Sequence, residues 1–109
     1  REWAHPVDYL DQNVVIFCQW NGNRNAVLII GGISSLMGLT ADAELLNNGK
    51  MVEKVTFTPG NLTPEKEFIQ ELAFRQEVTA PSLCLTFRDS SGKVITRANL
   101  LKRLEFPLK

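Results

Sequence analysis

The chain has 109 residues, the size of one ordinary domain built around a single core. Its 12 Lys plus Arg balance 12 Asp plus Glu, so no long-range field draws it toward nucleic acid or an anionic bilayer. With 44% hydrophobic and 22% charged residues, the composition is that of a folded globular domain and excludes a disordered tail.

Short extended runs separated by turn residues at roughly ten-residue intervals predict an antiparallel sandwich or barrel. Val14 to Trp20 is the first clear run, rich in β-branched and aromatic residues and ended by Asn21, Gly22 and Asn23. Asn25 to Ile30 follows as a near-continuous apolar strand, a pattern that suits burial on both faces, and Gly31 and Gly32 then permit a bend. Leu36, Leu39 and Leu45 fit neither the helical nor the extended period, so residues 33–46 hold one long strand or two short ones. Asn47, Asn48 and Gly49 predict a tight hairpin. Beyond it Met51, Val55 and Phe57 line one face and Val52, Lys54, Thr56 and Thr58 the other, with Glu53 the misfit and Pro59, Gly60 the end.

In residues 63–78 two readings compete. Thr63 as N-cap, Pro64 at the first helical position, Glu65 and Glu67 in the first turn, and the Phe68, Leu72 pair read locally as a helix. The alternation of Phe68, Leu72 and Phe74 with Ile69, Glu71, Ala73 and Arg75 allows the strand that a sandwich needs. Ser82 to Arg88, the turn Asp89 to Gly92, and Lys93 to Arg97 form a second hairpin, and Ala98 to Leu108 is read as a last edge strand ending at Pro107.

The longest apolar run, Ala26 to Ile30, falls well short of the roughly 18 residues of a membrane span, so no direct membrane insertion is expected. Alternation puts Cys18 on the face of Val14, Ile16 and Trp20, and turns Cys84 away from Leu83, Leu85 and Phe87. That geometry argues against a bridge between them and favours a reducing cytosol. The sequon Asn61, Leu62, Thr63 carries no meaning in that compartment.

Catalytic chemistry is missing. The single histidine, His5, lies beside Pro6 near the N-terminus, and Cys18 and Cys84 lack metal spacing, so neither a catalytic site nor a metal site is expected. Gly31, Gly32 and Gly38 do not form a phosphate loop, Glu65 and Glu67 read as a solvated face, and no cofactor is predicted. Arg97, Lys102 and Arg103 make a small basic cluster with only Phe106 nearby, which reads as a solvated strand face and not as a nucleic-acid site. Of Trp3 and Trp20, an exposed tryptophan would be a common recognition anchor, but Trp20 shares a face with Val14 and Ile16 and reads as a core cap at a strand end.

The order of these pieces resembles the appendage, or ear, of clathrin-adaptor large subunits, most closely the sandwich subdomain of the α subunit. The matching residues are Tyr9 and Leu10 ahead of Val14 to Trp20, Asn21 to Asn25 leading into Ala26 to Gly31, the stretch Thr79 to Arg88, and Leu104 to Leu108. The resemblance implies an immunoglobulin-like antiparallel β-sandwich of about seven to nine strands, with residues 1–109 a single domain cut from a longer chain. It also implies a non-enzymatic module of the cytoplasm, peripheral to coated membranes. Such a module recruits accessory proteins through short aromatic peptides and joins a larger adaptor complex through upstream chain. The peptide groove would lie beside Leu39 and Gln76. The rival is an extracellular immunoglobulin-like adhesion or receptor domain with a Cys18–Cys84 disulfide and a sugar on Asn61. Against it, Gly32 stands where that class carries its core tryptophan, and Ser82 stands at the corner-tyrosine position.

Overall fold

The computed structural model describes residues 7–103. Eight strands run through them: β1 (Tyr9–Leu10), β2 (Val14–Asn21), β3 (Asn25–Gly32), β4 (Leu36–Asn47), β5 (Lys50–Leu62), β6 (Phe68–Ala73), β7 (Pro81–Arg88) and β8 (Val94–Leu101). They form two antiparallel sheets, ordered β1-β2-β3-β6 and β5-β4-β7-β8, in an immunoglobulin-like sandwich.

Period-2 alternation sets the two inner faces. Val14, Ile16, Cys18 and Trp20 of β2, with Ala26, Leu28 and Ile30 of β3, meet Ala41, Ala43 and Leu45 of β4 and Leu83, Leu85 and Phe87 of β7 in one buried cluster. Each fully buried Leu, Ile or Phe contributes about 1.5–3 kcal/mol against leaving it in water. Residues 33–46 resolve into one strand from Leu36, and its lack of period has a cause. The β4–β5 register shifts between Leu36 and Leu39, again between Leu39 and Ala41, and once more near Leu46. The first of these puts the extra residue into β4 and changes the face between Leu36 and Leu39; the other two put it into β5, so Leu39, Ala41, Ala43 and Leu45 alternate regularly inward.

One open reading is decided and two sequence expectations are corrected. The helix signals at Thr63 and Pro64 lead only to a tight turn closed by a Thr63–Lys66 bridge, and the chain then enters β6 as a strand. Pairing with β3 over Asn25–Ile30, burial of Leu72, and stacking of Phe68 on Phe57 at 6.2 Å outweigh the local preference. Strand β5 does not end at Pro59 and Gly60 but continues to Leu62. Register jumps from Phe57↔Ala41 to Gly60↔Leu39, so Pro59 sits in a bulge of an edge strand, where its missing N–H breaks no ladder, and Gly60 takes φ +72°. The second strand of the last hairpin does not stop at Arg97 with a separate edge strand after it: β8 runs unbroken from Val94 through Ala98 to Leu101, paired with β7 throughout. The part of that expectation beyond Arg103 lies outside the described residues.

Two polar latches tie the sheets together. Glu53 turns its carboxylate to the chain leaving β6, accepting from the backbone N–H of Arg75 at 2.9 Å and of Gln76 at 2.9 Å. Asp11, in the β1–β2 turn, accepts at Oδ1 from the N–H groups of Asn13 (2.7 Å) and Val14 (2.9 Å). Its Oδ2 accepts from Tyr9 Oη and from Thr96 Oγ1 of β8, both at 2.9 Å.

Candidate functional site

Three turns and the end of β8 converge at one end of the sandwich. The β2–β3 turn brings Gly22 and Asn23, the β4–β5 turn Asn48 and Gly49, the entry to β7 Thr79 to Ser82, and β8 leads into Leu101, Lys102 and Arg103. Together with Trp20 they enclose an open pocket of about 710 Å³. Its volume falls within the range of small-ligand clefts.

The walls are pinned by local chemistry. Asn48 (φ 53°) and Gly49 (φ 83°) both take left-handed backbone, the conformation that makes Asn-Gly the preferred two-residue hairpin. Ala80 donates its N–H to Asn47 Oδ1 at 3.2 Å, and Asn48 donates back to the Ala80 carbonyl at 3.4 Å. On the other wall Lys102 Nζ donates to the Gly22 carbonyl at 2.9 Å and to Asn23 Oδ1 at 2.7 Å. Those bonds leave its ammonium 6.0 Å from the centre of the Trp20 ring, within cation–π range. Trp20 itself is only 7% exposed, and its indole Nε1 is buried without a hydrogen-bond partner. The fold carries an unmet donor at this site, an arrangement native interiors largely avoid.

Beside the pocket lies an ion pair. Arg103 Nε is 2.7 Å from Asp8 Oδ1, and the Asp8 side chain is 5% exposed. Asp8 Oδ2 also accepts from the backbone N–H of Cys18 at 2.7 Å, so the carboxylate takes a strand residue's place beside β2. Burial, then the nearby Asp8 charge, push the Cys18 thiol up to about 12 from its ordinary 9.0. A thiol so placed is an inert core group and not a nucleophile.

The two residues expected at a peptide groove occupy different places. Leu39 points into the core at 1% exposure and presents no side chain to a ligand. Gln76 is exposed and borders a shallow depression of about 410 Å³ with Glu53, Lys54, Val55 and Arg75. Gln76 is bonded to Glu53, which pairs with Leu45, six residues along β4 from Leu39. At about 3.3 Å per residue that is roughly 20 Å of strand, so one groove does not join them. The disulfide of the rival reading is not formed: Cys18 and Cys84 are free, Cys18 buried in β2 and Cys84 half-buried on the outer side of β7. Asn61 is exposed, and its side-chain carbonyl accepts from Gly38 N–H at 2.9 Å. Among the described residues no group of three or more His, Cys, Asp or Glu is arranged to hold a metal ion, and no helix is long and apolar enough to cross a membrane. His5, Trp3, Phe106 and Leu104 to Leu108 lie outside the described residues.

Sequence reasoning found Trp20 as a core cap but missed the pocket it floors. It also read Lys102 and Arg103 as a solvated face, and both are half-buried in specific bonds. The one local signal was a tryptophan directly before an Asn-Gly-Asn turn. Its partners come from segments 28 to 83 residues further along the chain, which only the sandwich topology brings together.

No family model matches the chain, and no curated protein matches it. Among solved structures it is similar to the crystal structure of chicken MD-1 complexed with lipid IVa, at 12% identity, with 92% of this chain and 96% of that chain covered and a TM-score of 0.47.

Proposed function

We propose that the chain is a non-enzymatic protein-interaction module that receives a short peptide in the end pocket floored by Trp20. The observation that carries this reading is the pocket itself, an open cleft with rigid hairpin walls, an apolar floor and one ammonium at its rim. Exposed Leu101, with the small part of Trp20 and Pro81 left uncovered, supplies apolar surface for a large or aromatic side chain, and Lys102 supplies a positive rim for an acidic neighbour. Nearly all of this site is backbone-fixed turn, so a disordered peptide would pay the ordering entropy and bind weakly and reversibly. The resemblance to adaptor appendages supplies the cellular half of the proposal: recruitment of accessory proteins in endocytosis or intracellular transport, at the cytoplasmic side of coated membranes. What supports that half is the order and spacing of the strand motifs.

Fluorescence anisotropy with a panel of labelled peptides, aromatic against aliphatic and acidic against neutral, tests the reading. Aromatic acidic peptides are expected to bind, and Lys102→Glu is expected to weaken them about five- to tenfold. Equal affinity for every peptide, or none at millimolar concentration, overturns it.

A further inference from the structure

Both hairpin turns at the end pocket contain Asn followed by Gly, Asn21-Gly22 in the β2–β3 turn and Asn48-Gly49 in the β4–β5 turn, and the dipeptide occurs nowhere else in the chain. The pair that suits a tight turn is also chemically labile. The backbone nitrogen of the following residue can attack an asparagine side-chain amide, and glycine offers the least hindered nitrogen because no Cβ shields it.

The fold leaves these two asparagines open to that attack and restrains the others. Asn21 and Asn48 are exposed. Among the described residues no hydrogen bond holds either side-chain amide or the N–H of Gly22 or Gly49. Apart from the adjoining residues, no atom lies within 4 Å of the point where a side chain would start on either glycine, so nothing packed over the turn blocks ring closure. By contrast, Asn13 donates its amide to the Ile95 carbonyl, and Asn23, Asn47 and Asn61 each commit their side-chain carbonyl to a bond. Asn25 and Asn99 lie in strands and precede Ala26 and Leu100.

We propose that Asn48 and Asn21 are sites of self-deamidation, and that the carboxylates so formed close the pocket to acidic partners. At Asn48 the Gly49 nitrogen bonds to Cγ, the Cγ–Nδ2 bond breaks, and ammonia leaves with the proton from that nitrogen. Water then opens the five-membered imide at one carbonyl or the other, giving aspartate, or isoaspartate with one more atom in the main chain. Asn21 reacts in the same way through Gly22. Water is the only co-reactant, and nothing is oxidised or reduced. The closing of the pocket rests on the peptide reading given above. Lys102 is the rim ammonium, held by the Gly22 carbonyl and Asn23, while Arg103 is already paired with Asp8. A carboxylate at position 48 lies on the pocket wall, and one at position 21 adjoins the carbonyl that holds Lys102. Each adds one negative charge to a chain whose charges balance, 12 against 12, so an acidic peptide is repelled where it was attracted.

The test holds the fresh chain at physiological temperature and neutral pH, digests samples with time, and reads by mass spectrometry the increment that exchanging an amide for an acid produces. The increment is expected at Asn48 and Asn21 at least about tenfold faster than at Asn23, Asn61 or Asn99. Gly49→Ala is expected to suppress it at Asn48 and leave it at Asn21. Anisotropy with the aromatic acidic peptide is then measured on the fresh chain, the separated deamidated fraction and Asn48→Asp, the last two expected to bind about three- to tenfold more weakly. Rates no higher than at Asn99, or an increment at Asn48 that survives Gly49→Ala, overturn the inference whatever the peptide does, and each site is decided by its own spectrum. A deamidated fraction that binds as tightly as the fresh chain overturns the closing of the pocket. A fresh chain that binds no peptide defeats the pocket reading, and the closing with it, while the spectra still decide the two sites.

Discussion

Asp8 does two jobs with one carboxylate: it accepts the Cys18 backbone N–H and it neutralises Arg103. Removing it as Asp8→Ala strands a buried donor and a half-buried cation together, which is expected to cost roughly 2–4 kcal/mol; the shift in urea midpoint checks it. The neighbouring thiol gives a pH prediction. Because the folded Cys18 value lies above the ordinary 9.0, the stability from keeping it protonated is complete below that value and is lost as pH climbs toward 12. Denaturant midpoints should fall between pH 9 and pH 11, and less in Cys18→Ala. In the native protein at neutral pH a thiol reagent should label Cys84 and spare Cys18 until denaturant is added. The opposite sign holds at Asp11. Partial burial alone would raise its carboxyl, but the N–H groups of Val14 and Asn13 and the hydroxyls of Tyr9 and Thr96 outweigh that and hold it below 3.8. The latch therefore contributes above about pH 4 and weakens as pH falls below it, and Asp11→Asn should flatten that acid limb.

At the scale of elements, turns were more legible than strand ends. Asn48 and Gly49 declared a hairpin because only those residue types take two left-handed positions without strain, and the structure has φ of 53° and 83° there. Nothing crowds a side chain at Gly49, so Gly49→Ala isolates backbone strain and should cost about 1 kcal/mol by thermal unfolding. Alternation placed Cys18 inward and Cys84 outward, as the structure has them. It failed where a bulge changed the count, at Leu36 to Leu39 and around Pro59. It also could not choose between helix and strand at Phe68 to Ala73, because the deciding interactions, β3 and Phe57, are remote in sequence. Glu53 was recognised as a misfit, but its partners, the N–H groups of Arg75 and Gln76, were not foreseeable without knowing that β5 lies beside β6.

For the whole molecule, neutrality and a single core left a sandwich whose one end is open. Phe87 is fully buried between the sheets and meets Phe57 edge-on at 6.5 Å. Its truncation to Ala should cost about 3–5 kcal/mol, enough to unfold much of a domain whose total stability is of order 5–15. The pocket at the other scale of consequence, function, was invisible locally because four separate segments build it around Trp20. Titrating an aromatic acidic peptide into the isotopically labelled protein and following backbone and indole N–H resonances tests it most directly. The account predicts shifts confined to Trp20 Nε1–H, Asn48, Thr79 to Ser82 and Leu101 to Arg103. Shifts clustered instead around Gln76 and Glu53, or none near Trp20 at millimolar peptide, would contradict it.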